Sequence, residues 1–255
     1  AWKYTRLRAL DAVDFEAEIQ PGIADNPPKL PFDCYALHFE NGFFNPARSD
    51  LPQGVEVRPL IEAAIFDPGF QKVFGASIDL NKYPLAALNS AYLNEGMAIR
   101  VEKDVNLKKP LALINHTVSG GRNLFFNLRN VVVIEEGASA EIIEYYHYSG
   151  ELKSRYFANI VNEIYLRRGA ALRHYKLQDE AFKAVHIALN SVQAAAGADY
   201  ESFCFQKGAD LARNETRVAL RGEQAHAAVN AAYKMNGWAT CLLYTSDAAD
   251  EARSV

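Results

Sequence analysis

The sequence predicts a mainly β protein, a right-handed parallel β-helix or β-solenoid preceded by a smaller mixed α/β region. Three observations predict it. All ten prolines lie between Pro21 and Pro110, so residues 111–255 contain none. From Met97 onward many segments alternate apolar and polar residues, as strands do. A strand–glycine–strand unit then recurs along the chain. Because proline removes a backbone donor from a ladder, a long proline-free stretch suits an extended sheet.

The front region, residues 1–95, is predicted to mix short helices with turns and strands. Residues 60–66 precede an Asp-Pro-Gly turn and form one expected helix. Residues 84–94 form a second, because Pro84 suits the first helical turn and Gly96 lies just past the end.

The repeated unit is predicted to form the second region, residues 96–240. Each unit is a strand, a short link, a glycine and another strand. The glycines are Gly137, Gly169, Gly197 and Gly222, separated by 32, 28 and 25 residues. Such a period is typical of a solenoid or a propeller. Glycine suits each corner because it accepts a positive φ. Stacked coils then pair their backbones about 4.8 Å apart. A β-sandwich with coincidental repeats is the alternative.

The last residues, 241–255, break this repeat. Cys241-Leu-Leu-Tyr-Thr-Ser-Asp-Ala-Ala-Asp-Glu251 resembles the translation of a sequencing-library adaptor, so we expect a non-native tail. A genuine polar tail is the alternative. The chain also begins at Ala1 rather than Met, and we therefore expect truncation at both ends.

The composition argues against several classes of function. A formal net charge of −4 argues against a nucleic-acid binder. No apolar run approaches the roughly 18 residues that span a bilayer, and no signal peptide is visible. Three scattered cysteines do not make a disulfide framework. We therefore expect a cytoplasmic protein with no membrane partner.

Motifs for catalysis are missing from the sequence. It contains no P-loop, no G-x-G-x-x-G after a strand, no G-x-S-x-G and no C-x-x-C. One candidate metal set remains: His174 and His186 on adjacent predicted strands, with Cys204 one coil further along. Cysteine with histidine suits iron or zinc. Isolated residues of these types are also common as ordinary core residues, so both interpretations stay open.

Four ordered motifs carry a family likeness that runs from residue 2 to about 237. In order, they are Trp2-Lys-Tyr-Thr5; Ala87-Leu-Asn-Ser-Ala91 with Glu95-Gly96; Leu172-Arg-His-Tyr-Lys-Leu-Gln178 with His186-Ile187; and Gly208-Ala-Asp-Leu-Ala-Arg-Asn-Glu215 with Leu220-Arg-Gly222. Together they resemble the SufB/SufD family of the SUF iron–sulfur cluster assembly system. The first motif favours the SufD branch.

The resemblance implies a non-catalytic scaffold that pairs with a SufB-like subunit and a SufC-like ATPase and supports iron acquisition. It implies no cofactor bound by this chain alone; the complex handles the iron–sulfur cluster and, through SufC, ATP. The family's Cys-x-His pair would lie beyond Thr240, so no functional residue is transferred. The rival hypotheses are a β-helix enzyme acting on carbohydrate, such as a polysaccharide lyase, and a hexapeptide-repeat acyltransferase.

Overall fold

The computed structural model describes residues 10, 13–17, 28–118, 121–150, 155–235 and 239–247. It is mainly β, with a parallel β-solenoid of about five turns behind a small N-terminal α/β region, so the predicted fold class is confirmed. The Trp2–Thr5 motif lies outside the described residues. Within them, no helix is long and apolar enough to cross a bilayer.

The described part of the N-terminal region combines short strands with short helices. The bounds are β1 Glu16–Ala17, β2 Tyr35–Glu40, β3 Phe43–Asn45, a 3₁₀ helix Pro46–Arg48, β4 Val55–Pro59, α1 Leu60–Phe66, α2 Pro68–Val73 and α3 Pro84–Ala91. The first predicted helix therefore has its predicted bounds. The second ends three residues early because Asn94 leaves the helix to pair with a strand. Its N–H donates to the Asn127 carbonyl at 3.2 Å, and its Oδ1 accepts from the Asn127 N–H at 2.7 Å.

Helix α2 was not expected, because the Asp-Pro-Gly sequence predicts a turn. The Asp67 carboxylate accepts hydrogen bonds from the N–H groups of Gly69 and Phe70, at 2.7 and 3.2 Å. It thereby satisfies amides that a helix start leaves unpaired. The predicted turn is thus an N-cap, and Pro68 occupies the first helical position.

Two sheets of paired strands form the solenoid. The strands are β5 Met97–Val101, β6 Leu111–Val118, β7 Leu124–Ile134, β8 Ser139–Ser149, β9 Tyr156–Leu166, β10 Ala171–Asp179, β11 Val185–Ala194, β12 Asp199–Lys207, β13 Leu211–Leu220, β14 His226–Lys234 and β15 Thr240–Asp247. One sheet runs β15-β13-β11-β9-β7-β5-β4, and β1 also pairs with β7. The other runs β14-β12-β10-β8-β6-β2-β3.

The hydrophobic core lies between the sheets. Leu128, Ile160 and Ala188 occupy matching positions on β7, β9 and β11, and all three are buried. Parallel in-register pairing repeats this pattern along the stack. At the first coil, antiparallel strands β4 and β3 cover the two sheet edges. Covered edges protect a sheet from pairing with other chains.

The glycines mark the corners of successive coils. Gly137, Gly169 and Gly197 have φ values of +70°, +65° and +67°. Gly222 lies at the fourth corner. The residue with a positive φ at this corner is Gln224, at +58°, rather than the glycine. A Cβ on Gly222 would come within 2.5 Å of the Ala196 backbone nitrogen. Glycine at this corner therefore permits a close approach between coils rather than a left-handed turn.

Strand β15 begins at the predicted boundary of the tail. It pairs in parallel with β13, with Thr240 opposite Leu211 and Asp247 opposite Val218. The non-native origin of residues 241–255 stays a prediction.

Candidate functional site in the solenoid core

Several polar and charged side chains lie inside the solenoid, where apolar residues would be expected. Alternate residues of a strand face the same side, and on β10 the inward positions are Leu172, His174, Lys176 and Gln178. All are buried. We call the group of Glu144, Tyr146, His174, Lys176, His186 and Tyr200 the polar core.

Glu144 is the centre of the polar core. Its carboxylate accepts hydrogen bonds from Tyr146 Oη at 2.5 Å and Asn162 Nδ2 at 3.0 Å. His174 Nε2 lies 2.7 Å from the same carboxylate, and His174 Nδ1 lies 3.0 Å from Tyr200 Oη. Desolvation would raise the pKa of Glu144, but His174, Lys176 and Tyr146 outweigh it and lower the pKa to about 2. Glu144 is therefore a buried carboxylate anion.

Lys176 is the buried cation next to Glu144. Its Nζ lies 2.7 Å from His186 Nε2 and donates to Asn214 Oδ1 at 2.5 Å. It also lies 4.8 Å from the centre of the Tyr146 ring. Lys176 is the register partner of Glu144 on one side and of Cys204 on the other. The strand register thus places opposite charges side by side in the low-dielectric interior.

His186 is held between Lys176 and a second acid. Its Nδ1 lies 3.0 Å from Glu180 Oε2, and both side chains are almost fully buried. Burial lowers the pKa of His186, while Glu180 opposes that shift. The imidazole is therefore kept neutral and can accept a hydrogen bond from the Lys176 ammonium.

A row of amides crosses the opposite sheet and connects to Glu144. Asn130 Nδ2 donates to Asn162 Oδ1 at 3.0 Å, and Asn162 Nδ2 donates to Asn190 Oδ1 at 2.8 Å. Asn190 Nδ2 then donates to Thr216 Oγ1 at 3.2 Å. These residues are register partners on β7, β9, β11 and β13. The ladder satisfies polar groups that would otherwise be costly to bury.

The polar core opens into a cavity of about 260 Å³ near the β14 and β15 end of the stack, lined in part by His174, Lys176 and Cys204. Desolvation raises the pKa of the Cys204 thiol to about 11. At neutral pH the thiol is protonated, so it is a poor nucleophile.

The structure brings the three predicted metal candidates, His174, His186 and Cys204, into one region of the core. Each histidine already has polar partners, and Lys176 lies between His186 and the Cys204 strand. Among the residues that the structure describes, no group of three or more His, Cys, Asp or Glu side chains is arranged to hold a metal ion. The metal hypothesis stays a prediction.

Sequence reasoning missed Glu144 and Lys176, the two charges around which the polar core is built. The alternation of the strands carried a signal. Glu144 and Lys176 each lie two residues after an inward-facing residue of the same strand, so they share its face. The pattern alone does not show which face is inward, since that depends on the register with neighbouring strands.

Comparison with known proteins identifies the family of this solenoid. The family model described as the SUF system FeS cluster assembly SufBD core domain matches residues 116–245, about half of the chain. The chain belongs to the SufBD family. The matched segment begins within β6 and ends within β15, so it covers the polar core and the coils that hold it.

The chain is also similar to two curated relatives. The chain is 28% identical over 239 residues to the iron–sulfur cluster assembly SufBD family protein slr0076 of Synechocystis sp., covering 87% of this chain and 52% of that protein. It is 31% identical over 96 residues to protein ABCI7, chloroplastic, of Arabidopsis thaliana, covering 38% of this chain and 20% of that protein. The chain thus spans about half the length of the Synechocystis relative.

Proposed function

We propose that this chain is a scaffold subunit of a SUF-type iron–sulfur cluster assembly complex. In this proposal it pairs with a SufB-like subunit, binds a SufC-like ATPase and supports iron acquisition, while performing no catalysis itself. The observation that carries the proposal is the family match over residues 116–245, which is the stacked part of the solenoid. The iron–sulfur cluster is cargo of the complex, and ATP is used by the ATPase subunit.

The chemistry of the polar core supports a scaffold rather than an enzyme. Glu144 is ionised and already accepts hydrogen bonds from Tyr146 and Asn162. A general base needs a pKa near the working pH, and the pKa of Glu144, about 2, lies far below it. Cys204 has a raised pKa and does not act as an activated nucleophile. The hydrogen bonds around Glu144 connect strands of both sheets, and buried hydrogen-bond networks rigidify a fold, which suits a subunit that positions partners.

The proposal places the chain in the reducing cytoplasm. Its three cysteines, Cys34, Cys204 and Cys241, are free thiols rather than disulfide partners. Free thiols are the usual state of cysteine in that compartment.

Co-expression with tagged SufC-like and SufB-like subunits from the same genome tests the proposal. We expect this chain to co-purify with at least one of them through size-exclusion chromatography. A parallel β-helix polysaccharide lyase of similar size, expressed identically, is the control and should not co-purify. Absence of both subunits from the purified chain, with the chain folded by circular dichroism, would contradict the proposal.

The same preparation tests the rival hypothesis. A polysaccharide lyase releases unsaturated sugar products from acidic polysaccharides. We expect no such product from the purified chain, and turnover that scales with its concentration would replace the scaffold proposal with an enzymatic one.

A further inference from the structure

The outer face of the second sheet carries a regular pattern on three consecutive strands, β8, β10 and β12. Alternate residues of a strand point to the same side, so the residues between those of the polar core point outward. They form four columns across the strands, with two apolar columns between two polar ones. We call this set the striped face. Its members are Glu141, Ile143, Tyr145 and His147 on β8; Arg173, Tyr175, Leu177 and Asp179 on β10; and Glu201, Phe203, Phe205 and Lys207 on β12.

The apolar columns of the striped face are open to solvent on β10 and β12. Tyr175 and Phe203 are register partners, and they are 38% and 42% exposed. The outer face of the first sheet differs, because helices α1 and α3 lie against it and bury part of its apolar side chains. Contiguous exposed apolar residues with a polar rim are typical of a protein interaction site.

The two ends of β10, and likewise of β12, carry opposite charges. Strand β10 has Arg173 near its start and Asp179 at its end, whereas β12 has Glu201 near its start and Lys207 at its end. Neighbouring charges are paired within the chain, since Arg173 lies 3.6 Å from Glu201 and Asp179 lies 2.9 Å from Lys207. The Arg173 and Lys207 side chains are still 58% and 50% exposed, so another charged group can reach them.

We propose that the striped face binds the same face of a second copy of this chain. A twofold axis that crosses the strands through the middle of the apolar columns places each strand against its own counterpart, running in the opposite direction. The start of a strand then faces the end of its counterpart. Arg173 therefore faces Asp179 of the second copy, and Glu201 faces Lys207 of the second copy. The symmetry repeats each of these attractive contacts.

The charge pattern selects this register over its neighbours. If the copies shift by one strand, Arg173 faces Lys207 of the second copy and Glu201 faces Asp179 of the second copy. Both contacts then join like charges, which is unfavourable at an interface. The inference does not depend on the proposed scaffold function, because it concerns the outer face of the solenoid and a copy of the same chain.

The contact is small, so the dimer is expected to be weak. Glu201 and Lys207 are six residues apart in one strand, which makes the face about 20 Å long. Three strands at a spacing of about 4.8 Å make it about 15 Å wide. The resulting area, roughly 300 Å² per copy, is smaller than the about 800 Å² of a standard interface. We therefore expect reversible association at high protein concentration.

Sedimentation velocity on the purified 255-residue chain, at about 10 µM to 1 mM, measures this equilibrium. Glu201→Lys and Lys207→Glu should each weaken the dimer about tenfold, because each reversal turns two attractive contacts into repulsive ones. Together the two substitutions restore opposite charges and should return most of the affinity. Glu136→Lys is the matched control, because Glu136 is an exposed residue outside the striped face, paired with Lys103. It should dimerise like the parent.

Zero-length carbodiimide crosslinking gives a second test that needs no variant. Glu201 and Lys207 lie about 20 Å apart along one extended strand, so a zero-length crosslink between them must join two copies. Asp179 and Lys207, 2.9 Å apart, supply the positive control within one copy. We expect the crosslink between Glu201 and Lys207 in the dimer.

Three results would overturn the proposal. The first is a parent chain that stays monomeric at the highest concentration. The second is unchanged dimerisation in both single variants, each checked for native fold by circular dichroism. The third is a dimer whose crosslinks join other residues, which would place the contact elsewhere, such as at the edge strands β14 and β15.

Discussion

The buried ion pair between Arg129 and Glu163 should fasten the N-terminal helices to the solenoid. Arg129 Nη2 and Nε donate to Glu163 Oε1 at 2.6 and 3.1 Å, and both side chains are almost fully buried. Glu163 also accepts hydrogen bonds from the Gly75 N–H at 2.9 Å and from Ser77 Oγ at 2.9 Å. One carboxylate on β9 thus holds the segment between α2 and α3.

The variant Glu163→Gln should be strongly destabilising. It keeps the shape of the side chain but leaves the Arg129 guanidinium buried without a counter-charge. Removing one partner of a buried ion pair costs about 3–5 kcal/mol. The guanidinium retains the Phe74 ring, 4.9 Å away, and Ser90 Oγ, at 2.6 Å. These contacts reduce the cost only in part, so we expect about 3 kcal/mol.

Urea unfolding and amide hydrogen exchange measure the effect. With a slope of about 1–3 kcal/mol per molar urea, the midpoint should fall by at least about 1 M. Stacked repeats do not always unfold in one step, so amide hydrogen exchange is needed to measure the stability of individual segments. The Gly75 and Ser77 amides should lose protection well before the central strands do. The double variant Arg129→Met with Glu163→Gln should recover stability, because it removes the unpaired charge.

A double-mutant cycle can refute this reasoning. If Glu163→Gln costs the same with Arg129 present as with Arg129→Met, the two charges are not coupled. The carboxylate would then act only through its hydrogen bonds to the loop.

Three further outcomes are expected. Gly96→Ala should lower the melting temperature sharply, because its Cβ would lie 1.5 Å from the Arg129 carbonyl oxygen. Glu144 has a folded pKa of about 2, below its usual 4.5, so it contributes stability above pH 4.5 that is lost as pH falls toward 2. Urea unfolding measures this effect. Between pH values above 4.5 and below 2, the free energy of unfolding of Glu144→Gln should change by roughly 3 kcal/mol less than that of the parent. Arg173 forms an exposed ion pair with Glu141. Because exposed ion pairs contribute little, the variant Arg173→Ala should leave the melting temperature unchanged.

Local sequence signals predicted the elements that local forces control. Helix α1 has its predicted bounds, because the apolar run and the following Asp-Pro-Gly are both short-range features. The corners at Gly137, Gly169 and Gly197 likewise follow from a conformation that glycine adopts easily. Helix α2 was missed because Asp-Pro-Gly serves equally as a turn and as an N-cap. Only the chain that follows distinguishes the two.

The composition of the polar core was predictable only in part. His174, His186 and Cys204 stand out in the sequence by residue type. In the structure His174 and Cys204 line one cavity, and His186 lies beside Lys176, which lines the same cavity. Their actual partners, Glu144 and Lys176, look like ordinary charged residues of alternating strands.

The pattern of prolines, glycines and alternating strands was sufficient to specify a stack of coils, because each of these features acts within a few residues. The register between coils was not specified in this way. It determines that His116 meets His147 outside the sheet and that Glu144 meets Lys176 inside it. These partners lie about one coil apart in the chain, and a shift of one residue would turn each side chain to the opposite face. That register is set by the lengths of the corners and by packing of the whole core, which are properties of the folded chain.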